Sequence, residues 1–347
     1  MTGTAPNPSA PPCDHATDVV IVGAGPVGLF AVFECGMLKM RCHVIDSLAD
    51  VGGQCRALYP EKPIYDIPGY PRIDAGELVD RLREQGEPFA PTYHLNQQVT
   101  GYARDGSWHI VTTSNGTRIA ARAVIIAAGA GAFGPNRPPL VGLDGYEQSG
   151  AVSYLVKKRS DYAGKDIVIA GGGDSAFDWA ISLADVARKI YFVHRRDSFR
   201  AAPESVARLR EIAARGTVVE MVIPYQLGAL NGDGTTLTGI EVADLDGKTR
   251  ELPAQHLLAF FGMVPQLGPL KDWDLGITLH HIPVDPSTCA TRLDGVFAIG
   301  DVADYPRKLK LILTGFAEAA AAAHAIHPLV FAGEALHFEY STSKGLP

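Results

Sequence analysis

Two glycine-rich turns, each entered from an apolar strand signal and left into a helix signal, predict an α/β protein built from two Rossmann-like βαβ units. Hairpin-turn signals cluster after each glycine turn, which adds a β-meander to each unit. A strand and an alanine-rich helix then return near the C-terminus without a third glycine turn. The second unit is therefore expected to be inserted in the first. It would span residues 134–267, leaving 18–133 and 268–347 to the first unit and 1–17 as a flexible, proline-marked tail. The length of 347 residues suits two domains of roughly 100–200 residues each.

The first strand, Asp18 to Val22, runs into Gly23-Ala24-Gly25-Pro26-Val27-Gly28. A helix follows to about Leu38, then a strand from Cys42 that ends on Asp46. This is the dinucleotide fingerprint in its full context: Gly23 for the tight turn, Gly25 for close approach of a pyrophosphate, Gly28 for helix–strand packing. Asp46 is placed to accept from a ribose hydroxyl. The helix N-terminus adds free N–H groups and a positive dipole end.

The pattern recurs from Asp166 to Ala170, followed by Gly171-Gly172-Gly173-Asp174-Ser175-Ala176 and a strand from Ile190 to Val193. Asp46 follows Gly23 by 23 residues, and His194 follows Gly171 by 23. The closing acid of the first copy has become His194-Arg195-Arg196, with Arg200 beyond. Guanidinium groups bind a 2′-phosphate that a carboxylate would repel, so the second unit should prefer NADP(H) to NAD(H). Its candidate binding residues are Gly171, Gly173, Ser175, Ala176, His194, Arg195, Arg196 and Arg200.

Turn signals at Asp105-Gly106 and Asn115-Gly116 mark the first meander. Those at Asn231-Gly232, Asp233-Gly234 and Asp246-Gly247 mark the second. Residues 123–129 read as a buried strand, Pro135, Pro138 and Pro139 as a linker, and residues 293–301 as the returning strand ending in Gly300-Asp301. The helix after it spans Thr314 to Ile326.

No run of about 18 apolar residues occurs, so no membrane span is expected. A formal charge of −7 argues against a nucleic-acid binder relying on overall basicity. The N-terminus lacks an apolar signal core, which reads as cytoplasmic. Five cysteines without a C-x-x-C weigh against a disulfide framework or a clustered thiolate metal site, and no metal is expected.

These landmarks resemble the two-dinucleotide-binding-domain flavoproteins, thioredoxin-reductase-like branch, from Asp18 to Ser343. Family members with redox-active disulfides place them in two locations. Here Val152–Lys157, before the second fingerprint, holds no cysteine, and Cys55 after Gly52-Gly53-Gln54 is followed at the second position by Pro60. What remains is similar to the ferredoxin(flavodoxin)–NADP reductases of this type. The likeness lies in Ala57-Leu58-Tyr59-Pro60-Glu61-Lys62-Pro63-Ile64-Tyr65-Asp66, in Gly171 to Ala180, and in the extension ending Tyr340-Ser341-Thr342-Ser343.

The resemblance implies FAD in the first unit and NADP(H) in the second. It implies hydride exchange with NADP(H) and single-electron exchange with ferredoxin or flavodoxin, by a homodimer that needs no acid–base side chain. It also implies flavin stacking by Tyr59 and Tyr340, with Val27 at the pyrophosphate turn, Gln54, Val99 at the adenine, and Phe133 by the isoalloxazine. Asp301 would meet the ribityl chain and Thr342 the reactive edge. Basic runs at Arg307-Lys308-x-Lys310 and Lys157-Lys158-Arg159 are candidate docking sites for an acidic carrier. A flavin monooxygenase and a non-catalytic flavin redox sensor are the competing readings.

Overall fold

The structure, a computed structural model, describes residues 10–129, 131–216 and 218–334, with the side chains of 132–135 and 263–266 left out. Contacts divide the chain into one unit of residues 1–133 with 265–347 and a second of residues 134–264.

In the first unit, β1 (His15–Val22) leads through the glycine turn into α1 (Pro26–Met37) and β2 (Cys42–Ile45). Helices α2 (Gly53–Ala57) and α3 (Ala75–Gly86) precede β3 (Thr92–His94). The meander follows as β4 (Val99–Asp105), β5 (Trp108–Thr113) and β6 (Arg118–Ile126). β1 starts earlier than Asp18 because His15, Ala16 and Thr17 pair in parallel with Ile119, Ala120 and Ala121. Residues 15–17 are therefore strand rather than tail, and Thr17 is buried with its hydroxyl on the Arg41 carbonyl.

The second unit opens with α4 (Leu143–Ser149) and β7 (Val152–Ser153). Its fingerprint is β8 (Asp166–Ala170), α5 (Asp174–Leu183) and β9 (Lys189–Val193), followed by α6 (Pro203–Ala214) and β10 (Val219–Val222). Its meander is β11 (Gln226–Gly232), β12 (Leu237–Ala243) and β13 (Thr249–Pro253), and β14 (His256–Ala259) closes it. The parallel sheet runs β7-β14-β8-β9-β10, with the antiparallel meander as a separate sheet. Asn231-Gly232 does not make the hairpin turn: Gly232 ends β11, and Asp233 makes the reversal by accepting the Thr235 and Thr236 amides.

The chain then re-enters the first unit. β15 (Val296–Ala298) pairs with the second half of β6, on the edge away from β1 whose first half the meander occupies, and α7 (Ile312–Val330) follows. The seven-stranded sheet runs β3-β2-β1-β6-β5-β4, with β15 on β6. The second unit ends at Val264 rather than Leu267, because Leu267 is buried against the first unit's sheet with Leu270 and Trp273.

β1 reads as a continuous apolar run because both its faces are covered. Val19 and Ile21 pack under α1 and α7, while Val20 and Val22 pack with Ile45, Val99 and Leu270. That double burial fixes where the strand ends, and so where the glycine turn begins.

Candidate functional site

The three fingerprint glycines of the first unit have different structural reasons. Gly23 has φ +113°, and a Cβ there would collide with the Ala127 carbonyl at the end of β6. A Cβ on Gly28 would collide with the Gly23 carbonyl. Gly25 is extended, and a Cβ on it would meet nothing within 4 Å. Its open side faces a cleft, as close approach of a phosphate requires. Pro26 starts α1 with its preset φ, and no side chain caps the helix and no acid stands in its first turn.

Asp46 closes the turn. One carboxylate oxygen accepts the Ala24 amide hydrogen at 2.6 Å and the other that of Leu48 at 2.8 Å. Burial raises its pKa above the usual carboxylate value, and these two bonds oppose that shift. Each oxygen keeps acceptor capacity for a hydroxyl.

Gly23, Gly25, Val27, Asp46, Gln54, Tyr59, Val99 and Asp301 line one cleft with about 1160 Å³ of empty space, its open mouth included. Gly28 lies beneath it as packing. The Phe133 side chain, Tyr340 and Thr342 lie outside the described residues. Tyr59 is packed against the core, with its hydroxyl 4.0 Å from the Cys55 thiol; burial raises its pKa, so the phenol is neutral. Cys55 is the one thiol lining the cleft, its pKa pushed up to about 11 by burial, and all five cysteines are free.

In the second unit Gly171 has φ +153°, and a Cβ there would lie 2.6 Å from the Phe260 carbonyl oxygen. Ala176 takes the third glycine's place, its methyl 3.1 Å from that same point. Gly173 is open, like Gly25, and Ser175 is exposed in the first turn of α5. Asp174 turns away to accept the Ala202 amide at 2.8 Å.

Arg195, Arg196 and Arg200 are exposed, and the Arg200 amide donates to the Gly172 carbonyl at 2.8 Å, which brings the arginine loop onto the glycine turn. His194 differs from them. Its ring lies against Gly172, filling the space a side chain would take, beside Phe199 and 3.3 Å from the Ser198 carbonyl. Burial, and then the three arginines, lowers its pKa. It supports the loop as a neutral ring.

In the basic run at 307–310, Arg307 and Lys310 are exposed but Lys308 is not available. The Lys308 side chain is 3% exposed and ion-paired with Glu318 on α7, so it is not part of a docking surface. Lys157 and Lys158 are exposed, while Arg159 donates to the Ser182 carbonyl. Glu318 itself was missed, although it is the only acid in α7. Asp301 does not cap α7, whose N-cap is Leu311. Gln97, Gln98 and Leu270 also line the cleft without a motif to announce them. Among the described residues no helix is long and apolar enough to cross a membrane.

The fold and the two glycine turns define a two-domain dinucleotide-binding protein of thioredoxin-reductase-like architecture. The chain belongs to the pyridine nucleotide-disulphide oxidoreductase family, which matches residues 17–324. It is 61% identical over 335 residues to a ferredoxin–NADP reductase of Paramagnetospirillum magneticum, covering 96% of this chain and 98% of that one. It is 59% identical over 336 residues to the ferredoxin–NADP reductase of Rhodospirillum rubrum, covering 95% and 96%. In fold it matches the thioredoxin reductase of Lactococcus lactis, with a TM-score of 0.76 at 24% identity over 91% of this chain and 99% of that one.

Proposed function

We propose that this chain is a FAD-dependent ferredoxin–NADP reductase that exchanges hydride with NADP(H) and single electrons with ferredoxin, with flavodoxin as a further carrier. The observation that carries the reading is the pairing of two nucleotide turns with a cleft holding a single thiol. Cys55 has no cysteine partner there, so the route of a disulfide reductase is missing, while both glycine turns are formed. The names of the relatives point the same way. A homodimer in the cytoplasm completes the proposal, on family resemblance.

Bound FAD supplies the exchange between two-electron and one-electron partners. The chain's own residues bind and orient. Gly25 and the α1 N-terminus take the pyrophosphate, Asp46 the ribose, and Asp301 the ribityl hydroxyls. Tyr59, a neutral ring lining the cleft, would stack on the flavin and exclude water from it. In the second unit Gly173 and the α5 N-terminus take the NADP(H) pyrophosphate, and Arg195, Arg196 and Arg200 hold the 2′-phosphate. The test is ferredoxin reduction by the FAD-loaded protein with NADPH and with NADH. The reading expects turnover with NADPH well above NADH. A protein that binds FAD but passes no electrons to ferredoxin contradicts it.

A further inference from the structure

Helix α7 carries one acid in an otherwise apolar and alanine-rich sequence, and that acid is buried. The Glu318 side chain is 5% exposed. One carboxylate oxygen accepts the Gly300 amide hydrogen at 2.7 Å; the other accepts from the Tyr305 hydroxyl at 2.8 Å and pairs with the Lys308 ammonium. Three points of the segment 300–308 are thereby tied to a single carboxylate. A charge taken out of water is retained at a cost unless its geometry does something an apolar side chain cannot.

The second half of the arrangement lies one helical turn earlier. Gly315 is on the same face of α7 as Glu318. A Cβ on Gly315 would collide with Val27 Cγ2, so Val27, from the pyrophosphate turn, fits into α7 at that glycine. Gly300 closes the triangle: it has φ +73°, and a Cβ on it would lie 3.5 Å from the Val27 side chain. Both Val27 and Asp301, which line the cleft from opposite chain segments, are thus seated on one three-residue step of one helix.

We infer that Glu318 is a positioning residue for FAD. Its reach to the Gly300 amide, measured from the Gly315–Val27 contact, sets the spacing between the turn that holds the pyrophosphate and the turn that presents Asp301. This rests on the reading of the cleft as the FAD site. It assigns a role to a residue that does not line the cleft, and it makes the length of the side chain, rather than its charge, the quantity that matters.

Two variants separate length from charge, with FAD affinity of the full chain, visible circular dichroism of the bound flavin and apoprotein Tm as readouts. Glu318→Asp keeps the charge and withdraws the carboxylate. It should weaken FAD binding by about ten-fold or more, as loss of a charge-assisted hydrogen bond does, and alter the flavin dichroism. The double variant Glu318→Gln with Lys308→Met removes the charges and keeps an acceptor at the same reach, and it should bind FAD within about three-fold of wild type.

The proposal is overturned if Glu318→Asp changes Tm alone, or if the double variant loses as much affinity as the aspartate. Should the aspartate variant not fold, the double variant decides. Asp301→Ala tells the two levels apart. If it binds FAD normally, the reading of the turn falls and takes the proposal with it; if it binds weakly while Glu318→Asp binds normally, the proposal alone falls.

Discussion

The Asp46 carboxylate accepts the Ala24 amide hydrogen at 2.6 Å, so the acid that ends β2 is bonded into the glycine turn after β1. Turn and acid are one object. In Asp46→Asn the amide nitrogen faces a backbone N–H that had an acceptor, at Ala24 or at Leu48, and leaving one orphaned costs about 1–3 kcal/mol. FAD affinity should fall by about ten-fold or more, read by titration with flavin fluorescence. Unchanged affinity would remove Asp46 from the site.

The glycines of the first turn should separate by readout. Gly25→Ala has room for its methyl and an ordinary φ, so the apoprotein should melt within about 0.5 kcal/mol of wild type. Its methyl faces the cleft, and FAD binding should be lost. Gly23→Ala forces a residue at φ +113° into a backbone carbonyl, and should destabilise the apoprotein by about 2–4 kcal/mol. Thermal melts of apo and FAD-loaded protein check both.

In the second unit, charge and support should part in the same way. Arg195→Gln, Arg196→Gln and Arg200→Gln should each raise the KM for NADPH by about ten-fold and leave that for NADH nearly unchanged, since only the 2′-phosphate is lost as a partner. His194→Ala empties the space beneath Gly172 and should raise both KM values together. An NADPH-specific loss in His194→Ala would show that the ring reads the phosphate itself.

Acid should destabilise the fold through histidines held neutral. His43 is lowered to about 4 by burial first, then by His94, His15 and Arg41; His109 is lowered to about 4 by burial, Arg104 and Arg122. A histidine with a depressed folded pKa takes up its proton on unfolding once the pH drops below its ordinary 6.5. Stability is therefore full above pH 6.5 and declines as the pH falls towards 4. Denaturant melts should show that decline, and His43→Gln should make it shallower. A stability flat from pH 7 to pH 5 would contradict these shifts.

The fold was legible where chemistry leaves a period or a glycine. β1, β6 and the two fingerprints followed from apolar runs and from Gly23, Gly28 and Gly171, whose positions permit no side chain. Residues 15–17 follow Pro6, Pro8, Pro11 and Pro12 in a stretch without an apolar core, which reads as tail; their strand pairing is a property of β6, more than a hundred residues away. His194 looked like one more positive group beside two arginines, and only the packing on Gly172 shows it as a support. Lys308 looked solvated for the same reason, since Glu318 sits ten residues later on a helix whose buried face sequence alone does not orient. The cleft residues Gln97 and Gln98 come from the loop after β3 and carry no motif.

The most direct test of the account is an anaerobic titration of the FAD-loaded protein with NADPH, followed by oxidised ferredoxin, with free thiols counted before and after. NADPH should bleach the flavin far faster than NADH does, ferredoxin should restore the colour, and the thiol count should not change. Bleaching by NADPH that ferredoxin leaves in place, or thiols that appear as the flavin is reduced, would contradict it.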